Sequence, residues 1–213
     1  MIMTRTPLRI SFVGGGSDRP SFYQEEPGAC VAAAIDQYVY VAVKPEYTGR
    51  VLAHYRATED VATASDLRHD RMRACLQRAE MSDAIEVASM ADIPGSSGLG
   101  GSSSFTVGLL HALQPQKHAS TYAAMACDVE MNDVGAMIGK QDQYTAAYGG
   151  VNLLGFTADG VTVDPIVCDR DRLSAHCLLL DTGVVRNGDA GAVLISPHQD
   201  RDDVRELARL AHA

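Results

Sequence analysis

The run Asp92-Ile-Pro-Gly-Ser-Ser-Gly-Leu-Gly-Gly-Ser-Ser-Ser-Phe105 constrains this chain more than any other. It sets a glycine and serine loop between an apolar, strand-like run and a helix-like run. Gly95, Gly98, Gly100 and Gly101 let the backbone approach a ligand closely, and Ser102, Ser103 and Ser104 follow where a helix should begin. The free N–H groups and positive dipole end of such a helix form an anion site. Two readings stand on these residues alone: a phosphate cradle, or a strand-to-helix turn with a serine N-cap. Gly95 and Gly100 have the spacing of a Walker loop, but Gly101 occupies the position of its phosphate-gripping lysine. A dinucleotide fingerprint is absent too, because Gly14 and Gly16 are followed by Arg19 at its last glycine position.

At 213 residues and 46% hydrophobic, the chain can bury a core as one domain. A net charge of −9 argues against a nucleic-acid or anionic-membrane surface. No run of about 18 apolar residues exists, and the N-terminus lacks a signal peptide's apolar region, so a cytoplasmic protein is expected. Five scattered cysteines without Cys-x-x-Cys spacing read as free thiols, and the histidines form no His-x-x-x-His pair.

Hydrophobic periodicity predicts strands over Leu8–Val13, Tyr38–Val43, Arg50–Tyr55, Ala84–Met90, Val151–Phe156, Val161–Val167 and His176–Asp181. Helices are expected over Pro20–Glu25, Asp66–Met81, Ser104–Leu113 and Ser120–Glu130. Another, capped at Asn132 or Asp133, should carry Gly139–Tyr148, and a charged amphipathic helix should cover Asp200–Ala213. The economical reading is one α+β domain.

Two further segments join the serine loop: Arg5-Thr-Pro-Leu-Arg-Ile-Ser-Phe-Val-Gly-Gly-Gly-Ser-Asp18 and Ile138-Gly-Lys-Gln-Asp-Gln-Tyr-Thr-Ala-Ala-Tyr-Gly-Gly150. In this order, the three motifs resemble the GHMP kinases (galactokinase, homoserine, mevalonate and phosphomevalonate kinases). Their wording is most similar to the bacterial D-glycero-D-manno-heptose 7-phosphate kinases. The resemblance implies the GHMP N-terminal fold, similar to ribosomal protein S5 domain 2, with a mixed sheet and helices on one side. It would fill residues 1–200, with 201–213 leading toward a second lobe whose glycine-rich motif has no counterpart here.

It also implies transfer of the ATP γ-phosphoryl, with Mg²⁺, to the anomeric hydroxyl of a heptose 7-phosphate, giving the 1,7-bisphosphate. Fucose or another hexose stays open as the acceptor. So does a non-catalytic sugar- or nucleotide-binding module, or half of a split kinase, with a homodimer or a complementary C-terminal chain as partner.

By the same resemblance, Asp142 is the catalytic base and Arg9 the cation beside it. Without it, Asp142 reads as a solvated helix aspartate paired with Lys140, and Arg9 as a strand arginine facing solvent. The nucleotide would lie on Pro94, Gly95, Ser97, Gly98, Leu99, Gly100, Gly101, Ser102, Ser103 and Ser104. Ser102 and Glu130 correspond to the family's magnesium ligands, and Gly101 replaces the first serine of its motif. Gly15, Gly16, Ser17 and Asp18 would line the sugar pocket. A carboxylate after three glycines can accept bonds from two sugar hydroxyls, although Asp18 could instead cap a helix ahead of Pro20. Lys140, Arg19 and Arg5 are cations available to a sugar phosphate.

Overall fold

The computed structural model describes residues 1–178, 180 and 201–212. Its spine is β2 (Gly28–Pro45), an 18-residue strand rich in Val, Ala and Tyr. β1 (Ile2–Val13) runs antiparallel along one edge of β2. The other edge is divided: β5 (Ile85–Ala91) pairs with Val39–Pro45, and β6 (Val151–Thr157) pairs with Gly28–Ala33. The fork between β5 and β6 lies opposite a register shift in β1 between Pro7 and Arg9. Such irregularities re-aim a side chain, and here the re-aimed residue is Arg9.

Beyond β5 lie β3 (Val51–His54), parallel to it, and β4 (Thr58–Val61); β7 (Gly160–Pro165) closes the far edge beside β6. The sheet is therefore mixed, as expected. Its helices are α1 (Pro20–Tyr23), α2 (Asp70–Arg78), α3 (Gly101–Leu113), α4 (Ala119–Asp128), α5 (Gln141–Tyr148), α6 (Arg170–Ala175) and α7 (Arg201–His212). α3 and α5 lie on β1 and β2, and α3 also packs on α2 and α4. Leu109, Leu110, Phe105, Val41, Val87, Met72 and Leu76 build the main core. Each such side chain contributes about 1.5–3 kcal/mol on burial.

Gly108 makes the helix-to-sheet contact close. A β-carbon there would lie 2.6 Å from Thr6 Oγ1, and Thr4 Oγ1 donates to the Gly108 carbonyl at 2.9 Å. α7 returns to the sheet, burying Val204, Ala208 and Ala211 while Arg205 pairs with Glu26 at 2.8 Å.

Several boundaries differ from expectation. β1 and β2 extend well beyond the predicted runs, and β4 and α6 are additional. α2 begins later, at Asp70, because His69 Nδ1 accepts from Met72 N–H and caps it. α4 passes into a π-turn, Val129–Asp133, which ends at Gly135 with φ of 74°. No helix starts at Asn132 or Asp133; residues 134–140 form a loop, and α5 starts at Gln141. Of the strand expected over 176–181, residues 176–178 and 180 are turn and coil, and 179 and 181 lie outside the described residues.

Candidate active site

Arg9 and Asp142 meet at the fork of the sheet. Arg9 Nη2 lies 2.6 Å and Nε 2.7 Å from Asp142 Oδ1. The same guanidinium donates from Nη1 to the Gly98 carbonyl at 2.8 Å, and the Arg9 backbone N–H donates to Leu99 O at 3.0 Å. The glycine loop is thus stitched to β1 by both backbone and side chain. Gly100 has φ of +76°, and a β-carbon there would sit 3.2 Å from Arg9 Cγ and 3.4 Å from Asp142 Oδ2. Only glycine combines that conformation with that proximity. Asp142 stands in the first turn of α5, where the helix dipole favours its charge. Its side chain keeps 24% of its surface open to solvent, so a ligand can reach it.

Gly100, not a serine, is the N-cap of α3, and among the described residues no side-chain bond caps it. Such first-turn amides are open to an anionic partner. Pro94, Gly95, Ser97 and Ser102 are exposed, Gly98, Leu99 and Gly101 half-buried. Ser103 and Ser104 face the other way. Ser104 Oγ reaches the carbonyls of Pro7 at 2.7 Å and Gly100 at 3.1 Å, and Ser103 Oγ donates to Glu130 at 2.6 Å. Their hydroxyls anchor the helix start to the core instead of facing a nucleotide.

Ser17 is likewise inward. Its buried hydroxyl is shared between the Gly14 and Ala29 carbonyls and accepts from Ala29 N–H at 3.0 Å. It holds the glycine turn shut and does not line a pocket. Asp18 caps neither α1 nor open space. Its Oδ1 accepts from Gly16 N–H at 3.0 Å, and its Oδ2 from Gln141 N–H, the first residue of α5, at 3.1 Å. Burial raises the Asp18 carboxyl above its ordinary range, opposed by the Gln141 bond and assisted by the Asp142 charge. Gly15 stands near the Gln141 side chain, and Gly16 lies under Val204 of α7.

Lys140 makes no ion pair with Asp142. Its Nζ sits 4.5 Å from the Tyr23 ring centroid, in a cleft of about 720 Å³ also lined by Arg19, Tyr144, Met131 and Met137. Neither Lys140 nor Arg19 makes an ion pair among the described residues. Burial pushes the Tyr144 hydroxyl up to about 12, so it is a neutral donor in this cleft. Arg5 is spent elsewhere, stacked 4.4 Å over Tyr38.

The magnesium pair does not assemble. Glu130 is fully buried, with Arg71 Nε at 2.7 Å from its Oε1 and both Ser103 Oγ and Gln143 Nε2 at 2.6 Å from its Oε2. Ser102 is exposed, and its neighbour Ser103 is the serine that reaches Glu130. Gln143 Oε1 is the one acceptor left open in this cluster. A divalent ion on Glu130 would stand about 5 Å from a guanidinium that already balances the charge, a repulsion of roughly 6–7 kcal/mol at an effective dielectric of 20. Among the described residues, no group of three or more His, Cys, Asp or Glu is placed to hold a metal. Sequence reading passed over Arg71 and Gln143. Only the fold brings Arg71, within the expected helix over 66–81, to Glu130.

The family profile described as the GHMP kinases N-terminal domain matches residues 67–150, from α2 through the serine loop to the glycines after α5. Coordinates agree, since a D-glycero-D-manno-heptose 1-phosphate kinase from Bacteroides thetaiotaomicron superposes with TM-score 0.73 at 26% identity. That superposition covers 82% of this chain and 62% of the other. The fold is that of a GHMP kinase N-terminal domain.

Arg9 and Asp18 lie outside the matched segment, so the three-dimensional structure is what joins them to this GHMP domain. A Campylobacter jejuni D-glycero-alpha-D-manno-heptose 7-phosphate kinase is 27% identical over 87% of the chain. The Methanococcus jannaschii mevalonate kinase, at 14% identity and TM-score 0.70, covers 99% of this chain and 71% of its own, and shares the fold. The chain spans 60% of the length of the C. jejuni relative. No helix among the described residues is long and apolar enough to cross a membrane.

Proposed function

We propose that this GHMP domain belongs to a sugar kinase that transfers the γ-phosphoryl of ATP to the anomeric hydroxyl of a heptose 7-phosphate. The observation that carries the reading is the convergence of Arg9, Asp142 and Gly100 at the uncapped start of α3. The first-turn amides of α3 and the exposed part of the loop take the nucleotide phosphates. Asp142 accepts the proton of the sugar hydroxyl as its oxygen bonds to the γ-phosphorus and the bond to the β-phosphate oxygen breaks, releasing ADP. Arg9 keeps Asp142 in place and offsets charge on the transferred group. Lys140 and Arg19 offer two cations to the phosphate end of the acceptor, in the cleft they line with Tyr144. Gly15, Gly16 and Asp18 shape the wall between.

A module that binds without catalysis is the second reading, favoured by the engagement of Glu130 with Arg71, Ser103 and Gln143 in place of a metal site. Phosphorus NMR of the purified chain with ATP, Mg²⁺ and D-glycero-D-manno-heptose 7-phosphate separates the two. A new anomeric phosphate signal is expected from the kinase. Shifts of the nucleotide signals without product would identify the binding module, and parallel samples with fucose or a hexose would test the acceptor.

A further inference from the structure

Glu130 sits at the junction of three helices. Arg71 comes from α2, Ser103 from the first turn of α3 and Gln143 from the first turn of α5. All three donate to one carboxylate, at 2.6–2.7 Å. Ser103 lies in the first turn of α3, whose amides are proposed to take the anion, and Gln143 directly follows Asp142. Glu130 therefore holds the first turn of α3 through Ser103 and stands one bonded residue from Asp142 through Gln143.

The carboxylate is fully buried, where Arg71 pairs with it and Ser103 and Gln143 complete its hydrogen bonds. Burial also raises the thiol of nearby Cys75, with the Glu130 charge adding to the effect, which keeps the surroundings of the cluster neutral. Cutting one donor would loosen the angle between α3 and α5, and with it the contact of Arg9 with Asp142.

We infer that Glu130 in this chain is a positioning residue, an anionic hub clamping α2, α3 and α5, and not a ligand of the magnesium that accompanies the nucleotide. The inference rests on reading Asp142 and the loop as the phosphoryl-transfer site.

The test uses the full chain and two readouts that need no turnover. Electron paramagnetic resonance counts bound Mn²⁺ in the presence of ATP for the wild type and Glu130→Gln. Nitrogen-15 spectra follow the Arg9 Nε–H and the Gln143 side-chain amide in Glu130→Gln, Arg71→Lys and Ser102→Ala. The hub predicts Mn²⁺ affinity within about threefold of wild type in Glu130→Gln. It also predicts that both hub variants move the Arg9 and Gln143 signals, while Ser102→Ala moves neither.

A tenfold or greater loss of Mn²⁺ affinity in Glu130→Gln would overturn the inference. So would Arg9 and Gln143 signals left at their wild-type positions. Arg71→Lys keeps the charge and changes only the donor geometry, so it supplies the spectra should Glu130→Gln not fold. A wild-type chain that binds no Mn²⁺ with ATP would sink the nucleotide reading of the loop, and the nitrogen spectra would still decide the role of Glu130.

Discussion

Arg9 Nη2 lies 2.6 Å from Asp142 Oδ1, joining strand β1 to helix α5 across 133 residues of chain. The same guanidinium holds the carbonyl of Gly98 at 2.8 Å, so one side chain connects the proposed base to the proposed nucleotide loop. Lysine has one ammonium and cannot reproduce that fork. Arg9→Lys should lower phosphoryl transfer roughly 10²-fold while leaving the fold intact. Transfer kinetics beside circular dichroism would check it, and near-wild-type turnover would count against the role given to Arg9.

Gly139 leaves no room for a side chain beside Asp18. A β-carbon at 139 would fall 1.8 Å from Asp18 Oδ2, so Gly139→Ala must displace the carboxylate that caps α5. A loss of about 2–3 kcal/mol is expected for such overpacking, read as a lowered urea midpoint. An unchanged midpoint would show that the cap does not hold the start of α5.

The buried Asp18 also sets a pH dependence. Its folded-state pKa is raised, so the folded chain holds this proton more tightly than the unfolded chain. The group's contribution to stability is therefore largest in acid. It falls as pH rises from the ordinary value of 3.8 toward the raised folded value. Subtracting the urea stability of Asp18→Asn from that of the wild type at each pH should give a difference that declines over this window. A difference that climbs with pH would reverse the assigned direction.

Lys140→Gln removes one of the two cations of the cleft without touching Asp142. It should raise KM for the sugar phosphate roughly tenfold, with KM for ATP and kcat unchanged. Steady-state kinetics with each substrate varied in turn would test this. A matching rise for an unphosphorylated sugar would mean that Lys140 serves something other than the phosphate.

Much of this architecture is legible in the sequence because it depends on local chemistry. The glycine run before Ser102, the β-branched stretch around Val41 and the position of Asp142 after Lys140 all carry their signals within a few residues. What escaped depends on direction and distance. Ser102, Ser103 and Ser104 are alike in sequence, yet the phase of α3 leaves only Ser102 exposed. Asp18 looked like a sugar ligand or a cap for the helix after it. Its partner is the Gln141 amide, 123 residues away. Glu130 looked like a metal ligand until α2 brought Arg71 to it. Likewise, the π-turn at Val129–Asp133 depends on Val134 N–H reaching back to Val129 O, a geometry that periodicity does not encode.

The central claim is that Asp142 performs chemistry and does not merely bind. Single-turnover transfer from γ-labelled ATP to heptose 7-phosphate, measured for the wild type and Asp142→Asn alongside ATP affinity, tests it most directly. A fall in transfer of at least about 10²-fold, with ATP affinity within about threefold of wild type, is the predicted result. Transfer that survives the substitution, or that falls only in step with ATP affinity, would contradict it.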